Sequence, residues 1–245
     1  MPTLLRPTLF LFIAFTIPEA TSCWAGESVP EWYEAARKYV EADIRFIDEG
    51  NGATSNAIQI LQMRGDAFEK LKDLPYPTVQ KLNEPIQSTR QEDREAALVT
   101  AMALEFHESA LIQVLLLNYE KEQSFLAKFY SHNILAALSP SQLKSVEDQL
   151  FHVLQSEKDE PIIFTGLQNV ARLAREKRIA LFVQYMKPGS DSLLRACTVA
   201  LAQRGKADLE AVKTQLKKLG AKKAVAFLDR YGEATLREVA LQNKK

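Results

Sequence analysis

The sequence predicts an all-α fold, and three observations carry that expectation. From Glu31 onward apolar residues recur three and four positions apart and almost never alternate over strand-length stretches. The periodic segments are bounded by residues with a physical reason to start or stop a helix: Gly50, Pro75, Ser139-Pro140, Pro188-Gly189, Gly205 and Gly220. The composition agrees. A chain of 245 residues, 47% hydrophobic and 25% charged, with nine Gly, ten Pro and two Cys, is neither disordered, nor collagen-like, nor a disulfide-stapled mini-protein.

Residues 1–25 stand apart from the fold. Arg6 is the only charge before an apolar run from Leu9 to Ile17, which Pro18 ends. A spanning helix needs about 20 apolar residues, so the run reads as the core of a secretory signal peptide. Ala20-Thr21-Ser22 offers a small-x-small cleavage pattern. Cleavage after Ser22 leaves Cys23 first; cleavage after Ala25 discards it. Ala20-Thr21-Ser22-Cys23 also resembles a bacterial lipoprotein lipobox, with Ala20 where Leu is usual and Glu19 placed ahead of the box. That resemblance implies acylation of Cys23 and a membrane tether at that residue alone. The expected location is therefore exported, periplasmic or envelope-associated, with removal, lipidation and retention of the segment all open.

Periodicity then places the helices in order. Glu31–Glu49 and Ile58–Leu74 form an N-terminal helical segment within residues 26–74. Residues 75–91, with three prolines and few periodic positions, read as a connector with at most a short helix and as the candidate domain boundary. A helical domain at 92–245 follows, beginning with Arg94–Phe106, Ser109–Tyr119, Glu122–Leu138 and Pro140–Gln155. At Ser139-Pro140 the Ser caps free amides, and the Pro occupies a first-turn position where its missing N–H costs nothing. Pro161–Arg175, Arg178–Lys187, Asp191–Arg204, Asp208–Leu219, Ala224–Tyr231 and Ala234–Gln242 complete the chain.

Helix pairs at this spacing invite a search for repeats. Ile163, Gly166 and Val170 align with Leu194, Cys197 and Leu201 at a constant offset. The stretch Ser190–Gly205 has an Asp-containing turn, the aliphatic-Arg step Leu194-Arg195, small residues at helical spacing, the Ala200-Leu201 pair and a closing Gly205. It resembles the first helix of a HEAT repeat, and Ala207–Leu219 resembles the second. Glu160–Met186 is a weaker copy without a closing Gly. The resemblance spans residues 90–220 and implies antiparallel helix pairs stacked as a short right-handed α-solenoid. Such folds commonly bind partners on extended surfaces.

The sequence shows little catalytic chemistry. His107, His132 and His152 stand in no zinc or catalytic spacing, and HExxH, Walker, GxSxG and CxxCH patterns are absent. Asp148 and His152, four apart, read as a solvated surface pair. Cys197 lies at helical spacing from Leu194 and Leu201 and reads as a buried core residue. Scattered aromatics, among them Tyr39, Phe46, Phe125, Phe129, Tyr130 and Phe164, also read as core. No cofactor or metal is expected.

Charge is unevenly distributed. Residues 23–171 hold 23 acidic and 13 basic residues, whereas 172–245 hold 7 acidic and 17 basic. The basic part contains Arg172, Arg175, Lys177 and Arg178, then Lys213, Lys217, Lys218, Lys222 and Lys223. These nine residues are the candidate face for an acidic protein partner. Nucleic acid is not expected, because export would separate the two. The functional expectation is an exported, non-enzymatic helical-repeat scaffold. The alternatives are an envelope enzyme or accessory factor with a site spread over several helices, and a lipid-carrying helical protein.

Overall fold

The computed structural model describes residues 29–48, 57–74, 79–106 and 108–242. The expected signal segment with Cys23, and His107, lie outside the described residues. Among those residues there are twelve helices and no strand: α1 (Glu31–Asp48), α2 (Ala57–Asp73), α3 (Val79–Ile86), α4 (Gln91–Ala103), α5 (Ser109–Tyr119) and α6 (Phe125–Ala136), followed by α7 (Pro140–Ser156), α8 (Glu160–Arg172), α9 (Arg175–Met186), α10 (Asp191–Arg204), α11 (Lys206–Lys218) and α12 (Lys222–Gln242).

Local chemistry accounts for several boundaries. Ser139 and Gln142 form a reciprocal capping box at the start of α7, with Pro140 in the first turn. Ser124 Oγ accepts the Ala127 N–H at the start of α6. Gly205 closes α10 with φ of 100°, a left-handed conformation, while donating its N–H to the carbonyls of Leu201 and Ala202.

The helices pack in two series of alternate elements. In one, α4 lies on α6, α6 on α8, α8 on α10 and α10 on α12; in the other, α3 lies on α5, α5 on α7, α7 on α9 and α9 on α11. The α1–α2 hairpin joins the first series through α4. Ala96, Ala97 and Ala101 of α4 are fully buried. Their small side chains let α1, α3 and α6 approach one central helix closely.

The connector at 75–91 carries one short helix, α3, within the expectation of at most a short helix, and its Leu82 and Ile86 join the same core as Tyr39 and Ala97. Two expected helix boundaries shift. The α8–α9 turn falls at Leu173-Ala174 instead of residues 176–177, which keeps Arg175 and Arg178 on one helix, three apart, facing a shared carboxylate. The final two expected helices are one, α12, running through Gly232. A Cβ at Gly232 would stand 3.3 Å from both Leu209 methyls, so this glycine serves close packing of α12 on α11 and does not break the helix.

Candidate functional site

The nine candidate basic residues separate into two groups. Arg172 spends its guanidinium on the carbonyls of Leu135, Ala136 and Leu138 at the end of α6. Arg178, only 7% exposed, reaches Asp208 Oδ2 with Nε at 2.8 Å and Nη2 at 2.6 Å, and donates to the Leu173 carbonyl. Arg175 Nε meets the other oxygen of Asp208 at 2.8 Å. Burial pushes the Asp208 carboxyl up, but the hydrogen bonds from the two arginines outweigh it and hold the group below the usual carboxylate range. Lys177 lies 2.6 Å from Asp148 and 3.5 Å from Glu147. Lys213 pairs with Asp229 at 2.6 Å, and Lys223 with Asp191 at 3.0 Å.

Lys217, Lys218 and Lys222 are left exposed and form no ion pair among the described residues. They come together at the α11–α12 turn. Lys217 and Lys222 line an open hollow of about 340 Å³ floored by Gly220, Ala221, Val225 and Ala226, with Asp229 at its margin. The left-handed Gly220, φ 68°, makes the tight turn that brings the end of α11 against the start of α12.

A different opening lies at the other end of the molecule. Phe46 and Ile47 at the end of α1 face Phe125, Leu126 and Phe129 at the start of α6 across a cleft of about 230 Å³, with Thr165 of α8 at its edge. Phe125 and Phe129 stack with ring planes 16° apart. Asp43 and Arg64 also line the cleft. Asp43 Oδ2 accepts from the Tyr130 hydroxyl at 2.8 Å, and Oδ1 lies 2.8 Å from Arg64 Nε. The same Nε donates to the Tyr39 hydroxyl at 2.9 Å, and the guanidinium carbon stands 5.1 Å from the Tyr39 ring centre. Burial pushes the Asp43 carboxyl up, with the Tyr130 hydrogen bond and the Arg64 charge offsetting this only in part.

The expectation that the aromatics are core holds for Tyr39 and Tyr130 but not for Phe125 and Phe164, which are 38% and 37% exposed. The cleft was missed from sequence, although one signal was present. Asp43 follows Ala36, Tyr39 and Val40 at helical spacing, which places a carboxylate in an apolar stripe.

A further electrostatically perturbed cluster lies inside the core. Tyr119 of α5 lies 2.7 Å from His132 Nε2 of α6 and donates to Glu157 Oε2 at 3.2 Å, which also accepts from Lys128 at 2.8 Å. Asn169 of α8 donates to the His132 carbonyl at 3.0 Å. Desolvation lowers the His132 imidazole to about 4 against the opposing pull of Glu157, so the ring is neutral at pH 7. A Cβ on Gly166 would stand 3.1 Å from His132 Cε1 and 3.0 Å from Leu154 Cδ2. That close packing makes the cluster a device for holding α5, α6 and α8 in register.

Cys197 is fully buried, as expected, and burial pushes its thiol up to about 12. The expected Asp148–His152 pair is replaced by pairs across helices: His152 lies 3.2 Å from Glu120, and Asp148 pairs with Lys177. Among the described residues, no group of three or more His, Cys, Asp or Glu is placed to hold a metal ion, and no helix is long and apolar enough to cross a membrane.

No protein-family model matches the chain, and comparisons with curated proteins and with solved structures find no match.

Proposed function

We propose that the chain is an exported binding or scaffold protein of the bacterial cell envelope, built as a short right-handed HEAT-like solenoid and engaging an acidic segment of a protein partner. The alternating helix contacts support the solenoid reading, because stacked hairpins place every second helix side by side. The observation that carries the binding reading is the gathering of the exposed Lys217, Lys218 and Lys222 at the α11–α12 turn, where Lys217 and Lys222 line one open hollow, while their six companions are paired within the molecule. Lysines kept without carboxylate partners on one hairpin concentrate positive potential there. On this reading the paired residues Arg172, Arg175, Lys177, Arg178, Lys213 and Lys223 maintain the fold, and the remaining three make the contact.

A fluorescent glutamate-rich peptide titrated into the purified chain tests the proposal. Binding should weaken with rising salt and fall by about tenfold or more on reversing Lys217, Lys218 and Lys222 to Glu. The control reverses Lys70, Lys72 and Lys81, an equal charge change at the other end. Equal loss in both variants would reduce the effect to net charge and overturn a localised site. Crosslinking from Lys218 in native envelopes would then identify the partner by mass spectrometry.

A further inference from the structure

The cleft between α1 and α6 has a polar anchor whose hydrogen-bonding capacity is only partly used. Arg64 carries five N–H donors in a planar fork. Only Nε is engaged, by Tyr39 at 2.9 Å and by Asp43 at 2.8 Å. Nη1 and Nη2 form no hydrogen bond among the described residues, and the side chain is 33% exposed where it lines the cleft. The guanidinium plane is already oriented by Asp43 on one edge and by the Tyr39 ring beneath it, and Asp43 is itself held by Tyr130. An oriented fork of this kind matches a carboxylate bidentately and loses little freedom on doing so.

The walls set the rest of the ligand. Phe46, Ile47, Phe125 and Phe129 form the apolar walls of an open cleft of about 230 Å³. A dry cavity of about 150 Å³ accommodates benzene, and drug-sized ligands occupy about 300 Å³ or more. The volume therefore suits one ring or a short branched chain with a polar head. Asp43 already has both oxygens occupied and is 6% exposed, so it is not available to take an amine.

We propose that this cleft binds a small monocarboxylate with a compact apolar body, about the size of 3-phenylpropionate. Its carboxylate sits on Nη1 and Nη2 of Arg64 and its ring lies between Ile47 and the Phe125–Phe129 stack. The site is separate from the lysine hollow, and neither proposal depends on the other.

Calorimetric titration of the unaltered chain with 3-phenylpropionate, 3-phenylpropanamide and octanoate tests this without disturbing the fold. The carboxylate should bind about tenfold or more tightly than the amide, and octanoate should bind no better than phenylpropionate. Ile47→Glu, at an exposed position, places a negative charge at the mouth. It should weaken the carboxylate by about tenfold while sparing the amide. Arg64→Gln should remove the preference for carboxylate over amide, with helical circular dichroism confirming that α2 remains folded. Equal affinities of the unaltered chain for acid and amide, or no saturable binding by about 10 mM, would overturn the proposal. Tighter binding of octanoate would overturn the compact body and turn the cleft into a lipid-tail site.

Discussion

Two clusters of cations, one at residues 172–178 and one at 213–223, look alike in sequence and do different things in the structure. In the first, every member is spent inside the molecule: Arg172 on the carbonyls ending α6, Arg175 and Arg178 on Asp208, and Lys177 on Asp148 and Glu147. In the second, Lys213 and Lys223 have acidic partners, whereas Lys217, Lys218 and Lys222 stand in solvent at the α11–α12 turn, Lys217 and Lys222 lining a hollow there. For Arg178 the difference follows from burial, and for the others from which carboxylates and carbonyls the packing brings within reach. A guanidinium taken out of water must be paired and hydrogen-bonded, whereas an ammonium on a flexible stem beside solvent need not be. Density of positive charge in a sequence is thus no measure of positive charge available to a partner.

The largest effect separating the clusters should come from Arg178→Ala. It leaves Asp208 near the core with only the half-exposed Arg175 as counter-charge, and chemical denaturation should show a loss of about 2–4 kcal/mol. A loss no larger than that of Lys177→Ala would erase the distinction between the clusters. Replacing Lys177 removes only partly exposed pairs, for which about 0.2–1 kcal/mol is expected.

Acid should divide stability in two stages. His132 titrates near 4 when folded and near 6.5 when unfolded, so the unfolded chain binds more protons between those values. The His132 contribution is complete above about pH 6.5 and is lost as pH falls toward 4, amounting to about 3 kcal/mol. His132→Gln should flatten that part of a Tm profile. Asp208 is depressed in the fold, so its contribution is present above the ordinary carboxylate range and disappears at lower pH. Arg178→Ala should flatten this second stage and leave the first.

An intermediate effect is expected from Gly166→Ala, whose new methyl presses on His132 and Leu154. About 1–3 kcal/mol should be lost in denaturant titration, while the midpoint of the His132 transition tests whether the imidazole has moved. A small effect, comparable to that of Lys177→Ala, should come from reversing Lys217, Lys218 and Lys222 together, with stability changed by less than about 0.5 kcal/mol per site. A cooperative loss of several kcal/mol would show that these lysines also maintain the fold.

The sequence by itself determined the helical class, most helix ends and the buried place of Cys197. These depend on interactions within a few residues, such as the Ser139 cap and the left-handed Gly205 and Gly220, or on the periodicity of one helix face. Where a feature depended on a residue far along the chain, local pattern misled. The break expected between Tyr231 and Ala234 is absent because Gly232 packs against Leu209, which belongs to another helix. The α8–α9 turn was misplaced because Asp208, 30 residues beyond Arg178, decides which face that helix presents. The cleft needed three distant segments to meet: Asp43 on α1, Arg64 on α2 and Tyr130 on α6. A charge in an apolar stripe is legible from one helix, but which group neutralises it, and whether the space beside it stays open, is decided only when the helices pack.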